Sequence, residues 1–161
     1  MKNMMVCILA FVLALCGSVM VFADCDEETA DCPDKVVVNG NEIDAGALPC
    51  PSYSEGNTLM IPLRAVAEAL GYKVGWNSET GAITVDDEYI QSATLYDGST
   101  KAIFSGRLSV IDMSREIENA QKTTVIDGHT YVPSEFFKEF LNDVITDGKT
   151  LKVSPSMAHI D

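Results

Sequence analysis

The stretch Asn57–Val85, NTLMIPLRAVAEALGYKVGWNSETGAITV, has a weaker copy at Gly128–Val153, GHTYVPSEFFKEFLNDVITDGKTLKV. A shift of 71 positions lays Pro62 on Pro133, Val66 on Phe137, Glu68 on Glu139, Leu70 on Leu141, Gly71 on Asn142 and Val74 on Ile145. Each copy reads as a short strand, a proline, a two-turn helix, a left-handed stop and a hairpin. Such a period is read before anything else because it sets the architecture. In the first copy Leu59 and Ile61 alternate as in a half-buried strand. Pro62 has no amide donor and suits the first helical turn, where that donor is spare. Leu63, Val66, Ala67 and Leu70 follow at helical spacing and share one face. Gly71 supplies the left-handed backbone that stops a helix, and Asn142 is the expected equivalent in the second copy. Val74 and Trp76 alternate onto one side of the next strand, and Ile83 and Val85 return antiparallel to them after the Asn77–Gly81 turn. Asp147-Gly148 is the matching turn signal in the second copy.

Around these copies lie many short alternating segments. VVVNGNEI, within Lys35–Ile43, predicts a hairpin turned at Asn39-Gly40. Tyr89–Tyr96 predicts a strand turned by Asp97-Gly98-Ser99. Ala102–Phe104 and Leu108–Ile111 predict a hairpin about Ser105-Gly106, and Met113–Ala120 one irregular helical turn. Thr123–Ile126 and Thr130–Val132 flank Asp127-Gly128 and predict the last hairpin. The fold class that follows is α+β, mostly antiparallel sheet with two short helices from an internal strand-helix-hairpin repeat. The predicted core comprises Trp76, Phe136, Phe137, Phe140 and the aliphatic positions above.

The chain has 161 residues and a formal net charge of −13. Residues 1–23 carry Lys2, an apolar run from Met4 to Val21, and small residues at −3 and −1 before Asp24. This predicts a secretory signal peptide cleaved between Ala23 and Asp24, leaving no stable membrane insertion. The competing reading is a retained anchor. Residues 24–34 form an acidic leader expected to be mobile, 35–153 the folded domain and 154–161 a tail. The negative charge argues against nucleic acid as a partner. Cys7 and Cys16 lie in the signal, so Cys25, Cys32 and Cys50 are the disulfide candidates, with the pairing open. The gap between Cys25 and Cys32 does not match ordinary zinc spacing.

The string Ile61–Gly71, IPLRAVAEALG, then Val74 and Trp76, closely resembles the signature of the copper amine oxidase N-terminal domain family of bacterial secreted proteins. Thr130-Tyr131-Val132-Pro133 resembles it again, and the likeness spans roughly residues 35–153. The family-motif residues are Pro62, Leu63, Arg64, Glu68, Leu70, Gly71, Trp76 and Pro133. Ser134-Glu135 departs from the usual leucine and arginine, and Asp147 from a common tryptophan. The resemblance implies a stalk or binding module in exported proteins. Oxidase chemistry is not implied: the copper site of such an enzyme needs three histidines on a separate catalytic domain, and this chain has only His129 and His159.

No nucleophile elbow or phosphate loop is present. His129 reads as a surface strand residue and His159 as part of the tail. Cys50, between two prolines, lacks a basic neighbour in sequence to activate it. Asp86-Asp87-Glu88 lacks the alternating ligands of a calcium loop and reads as a charged strand entry. Arg64 and Glu68 are placed to pair on the outer helix face. Arg64, Tyr72 and Tyr131 offer a possible ligand surface. The sequence therefore predicts a secreted, non-catalytic domain without cofactor, binding a protein or a cell-envelope polymer or acting as a spacer. The alternatives are an extracellular metal-binding protein that uses the leader's acidic and cysteine residues, and a small extracellular hydrolase.

Overall fold

A computed structural model describes residues 33–156 except 45, 47 and 108–113. The signal-peptide and cleavage expectations at Ala23 and Asp24, both leader cysteines Cys25 and Cys32, and His159 lie outside the described residues. Thirteen strands are described: β1 (Lys35–Val38), β2 (Asn41–Glu42), β3 (Tyr53–Glu55), β4 (Thr58–Pro62), β5 (Lys73–Trp76), β6 (Ala82–Asp86), β7 (Gln91–Tyr96), β8 (Lys101–Gly106), β9 (Ser114–Glu118), β10 (Thr124–Ile126), β11 (His129–Pro133), β12 (Asn142–Asp147) and β13 (Thr150–Pro155). Helix α1 (Leu63–Ala69) follows β4, and a 3-10 helix (Ser134–Phe140) follows β11. The architecture is mostly antiparallel sheet with two short helices.

Three sheets form, ordered β12-β13-β1-β2, β10-β11-β4-β3 and β5-β6-β7-β8-β9. All described pairings are antiparallel save β1 with β13, which run parallel and bring the first strand beside the last. The two proline strands are neighbours: Pro62 lies opposite Tyr131, Ile61 opposite Val132, and Met60 opposite Pro133. Ile61 and Val132 are 71 residues apart, so equivalent positions of the two copies face one another at the centre of this pair.

Both helices, β1, β13, β4, β11 and the five-stranded sheet contribute to one buried cluster that includes Leu63, Val66, Ala67, Val85, Leu95, Phe136, Phe137 and Phe140. Phe104 stands 5.7 Å from Phe136 and 5.1 Å from Phe140, ring centre to ring centre. Such tilted contacts are the preferred aromatic geometry. A smaller cluster of Cys50, Met60 and Tyr131 is supported by Tyr53 and Ile126.

The two helices end differently. Leu70 closes α1 in right-handed geometry, and Gly71 at φ 88° takes the left-handed position. Gly71 N–H donates to Glu68 O at 2.9 Å and Tyr72 N–H to Ala67 O at 2.8 Å. This is the paired closure that satisfies the last carbonyls of a helix. In the second copy the left-handed residue is Leu141, at φ 60°, and not the expected Asn142. A 3-10 helix turns in three residues instead of 3.6, so its stop arrives one position early. Asn142 instead opens β12, and its side-chain amide donates to Phe137 O at 3.1 Å and Phe140 O at 3.3 Å. The side chain thus does what backbone amides do after α1.

Two further expectations are corrected. Ser105-Gly106 is not a turn: β8 continues through it, with Ser105 paired to Ser114 and Gly106 to Gln91. Leu108–Ile111, the expected return strand, lies outside the described residues. Within Met113–Ala120 the structure has strand β9, not a helical turn, because pairing with β8 outweighs the weak local preference of a polar segment. Residues flanking the 35–153 segment make contacts of their own. Pro33 is buried and its carbonyl accepts from Ser52 Oγ at 2.8 Å, while Asn142 pairs with Pro155.

Candidate functional site

A cleft of about 530 Å³ opens where the first copy's hairpin meets the β10–β11 turn. Pro62, Val74 and Ile83 supply apolar lining, with Trp76 and Arg64 from the first copy, and Val125 and His129 from the β10–β11 hairpin. Trp76 is 66% exposed, which corrects its assignment to the core. The alternation argument had the face right: Trp76 lies opposite Ile83, which is buried. But Trp76 is the last residue of an edge strand, so its indole stands at the sheet's corner.

Arg64 is held over this corner. Its guanidinium donates to Glu68 Oε1 at 3.1 Å, the expected helical pair, and to Val74 O at 3.2 Å. Tyr131, grouped with Arg64 as a possible ligand surface, is wholly buried. Its hydroxyl donates to Cys50 O at 2.8 Å and accepts from Cys50 N–H at 3.3 Å. Tyr72 is half-buried and hydrogen-bonded to Asn142, which joins the ends of the two helical segments. That burial pushes its phenol above its ordinary pKa. Of the proposed trio only Arg64 lines the cleft. Among the motif residues, Pro62, Leu63 and Pro133 are buried, Leu70 is half-buried, and Glu68 and Gly71 are exposed.

The reactive groups do not converge. His129 Nδ1 contacts Asp127 O at 3.1 Å, a backbone oxygen and not a carboxylate. Asp97 lines the same cleft, but its Oδ1 accepts from Val125 N–H at 3.0 Å. Cys50 is a buried free thiol in the smaller cluster and does not line the cleft. The acidic run sits in the turn between β6 and β7, and each member has a local partner. Asp86 pairs with Arg107, whose hydrogen bond holds the Asp86 carboxyl below its usual pKa. Asp87 Oδ1 accepts three backbone amides, from Tyr89, Ile90 and Gln91, at 2.8–3.0 Å. Glu88 meets Lys73 at 2.5 Å. Among the described residues no three histidine, cysteine or acidic side chains are grouped to hold a metal ion. No helix among them is long and apolar enough to cross a membrane.

The sequence reading missed Val125 as a cleft residue and Arg115 as a structural one. Arg115 bonds Glu139 at 2.6 Å and lies 4.8 Å from the centre of the Phe104 ring, tying the 3-10 helix to β9. Neither carries a local signal, since both roles arise from strand pairing.

Residues 37–154 match the family described as the copper amine oxidase N-terminal domain. A protein of Brevibacillus choshinensis named "Protease inhibitor" is 33% identical over 107 residues. That alignment covers 66% of this chain and 29% of the relative, so the chain spans well under half of that protein. No solved structure matches. The family match covers most of the chain and follows the structured region nearly end to end, and the chain belongs to the copper amine oxidase N-terminal domain family.

Proposed function

We propose that this is an exported, non-catalytic accessory domain that holds a protein or cell-envelope polymer in the Trp76 cleft. The observation that carries the reading is the exposed indole of Trp76 beside Arg64 and an apolar floor. Concave apolar surface with a few placed polar groups is the usual form of a binding site. The dispersal of His129, Cys50 and the acidic run argues against the hydrolase alternative. The metal-binding alternative rests on leader residues outside the described region. The name of the Brevibacillus choshinensis relative favours polypeptide over glycan as the partner class. We also read the scaffold as an α+β half-domain used twice, supported by the facing of Ile61 and Val132.

Trp76 is the chain's single tryptophan, so its emission reports on the cleft alone. Purified wall glycan fragments and envelope proteins are titrated while that emission is followed, and retention on immobilised wild type and Trp76→Ala is compared. The reading expects a shift in emission and at least about a tenfold loss of retention in the variant. Equal retention by both proteins moves the site elsewhere. No retention by either favours the spacer role.

A further inference from the structure

The first wall of the cleft is an open sheet edge. Strand β5 ends the five-stranded sheet and, among the described strands, pairs only with β6. Asn77 N–H donates to Ala82 O at 2.9 Å, which makes Asn77 and Ala82 a hydrogen-bonded pair. Such pairs alternate along an antiparallel ladder, so Gly75 and Lys73 also turn their amides toward β6. Val74 and Trp76 then direct theirs outward. The bond from Arg64 to Val74 O, at 3.2 Å, independently shows that direction. Val74 N–H and both backbone groups of Trp76 remain along the edge without a partner among the described residues.

Two other edges are defended. Natural sheets blunt an unpaired edge with charge, and β9, at the far side of the same sheet, carries Arg115, Glu116 and Glu118. Across the cleft, β10 is also an edge, but its outward Val125 N–H is capped by Asp97. On β5 the charged Lys73 is paired with Glu88 and Arg64 caps Val74 O, which leaves Val74 N–H and both backbone groups of Trp76 undefended. The two charged groups lining the cleft, Arg64 and Asp97, are both already engaged. The chain as a whole is strongly anionic, at −13, and steers cationic partners toward it.

We infer that β5 accepts an extended, net basic polypeptide segment as a sixth strand, with an apolar side chain of that segment against Trp76. Backbone bonds to an open edge supply affinity in this mode, and the adjoining pocket supplies selectivity. The inference rests on the proposed binding role of the cleft and names its ligand class.

The full chain is titrated with a short alternating lysine–valine peptide, the same peptide N-methylated along one edge, a glutamate–valine counterpart and a chito-oligosaccharide. Trp76 emission and amide-proton shifts of Val74 and Trp76 are read. The expected result is binding of the lysine–valine peptide that shifts both amides. N-methylation weakens it about tenfold, since it removes the donor to Trp76 O and sets methyl groups against the strand edge. The acidic peptide binds more weakly. Equal binding of the N-methylated peptide overturns strand addition, and equal binding of the acidic one overturns the basic preference. If only the oligosaccharide moves Trp76, strand addition falls while the cleft's binding role stands. If no probe moves it, both fall.

Discussion

The segments that follow Pro62 and Pro133 start alike and finish differently. After Pro62 comes an α-helix stopped by Gly71, then a hairpin whose first strand is a free sheet edge ending in an exposed tryptophan. After Pro133 comes a 3-10 helix stopped by Leu141. Its Phe136, Phe137 and Phe140 are buried, Phe136 and Phe140 against Phe104, and one strand of its hairpin is sandwiched between β12 and β1. The second segment spends its aromatic side chains on the interior, whereas the first leaves its tryptophan at the surface. One scaffold order therefore builds core in one place and leaves an exposed indole at a cleft in the other.

The largest test of that contrast sets Phe136→Ala against Trp76→Ala. Phe136 is fully buried, so its truncation is expected to cost about 3–5 kcal/mol. Trp76 is mostly exposed, so its truncation is expected to stay within about 0.5 kcal/mol. Urea unfolding of both variants checks this, and comparable losses would break the division between the segments. Next, Asn142→Ala is expected to lose about 1–3 kcal/mol, because it leaves buried carbonyls at the end of the 3-10 helix without donors. A loss no greater than that of an exposed residue would show that the amide cap is dispensable.

The two left-handed stops sharpen the comparison further. Gly71→Ala places a side chain at positive φ and is expected to lower stability by about 1 kcal/mol, while Leu141→Gly removes one and is expected to raise it by up to about 1 kcal/mol. Opposite signs in thermal melts support the one-residue offset of the stops. The smallest effect belongs to Asp86 in the turn after the first hairpin. Its folded-state pKa is lowered by Arg107, so its contribution is present above the unfolded value and lost as pH falls through the folded one. The pair is partly exposed, so Asp86→Asn is expected to cost only a few tenths of a kcal/mol at neutral pH. That difference should fall away only as the pH drops below about 4, the unfolded value, and on through the lowered folded one, where both states are protonated.

Much of the scaffold is legible in the sequence. The helical spacing of Leu63, Val66 and Ala67 placed all three inside, and Asn39-Gly40 and Asp127-Gly128 turn hairpins as their dipeptides suggest. Pro62 and Pro133 each stand where a strand becomes a helix. The cleft was less legible. Arg64 was picked out as exposed, but Trp76 was assigned to the core and Tyr131 to the surface. Period-two alternation tells which side of a strand a residue takes; it does not tell whether anything covers that side. Likewise Ser114–Glu118 carries little strand signal of its own and becomes β9 through its register with β8.

The sequence by itself determined the local elements: where chains turn, where helices start, and which aliphatic and phenylalanine side chains go inside. Those outcomes depend on backbone preference and spacing among near neighbours, which a linear string contains. Only the tertiary structure decided that β5 would be an edge, that β1 would run parallel to β13, and that Trp76 and His129 would line one cleft. These depend on which distant strands meet and on which strand is left without a second neighbour, and no local spacing encodes that.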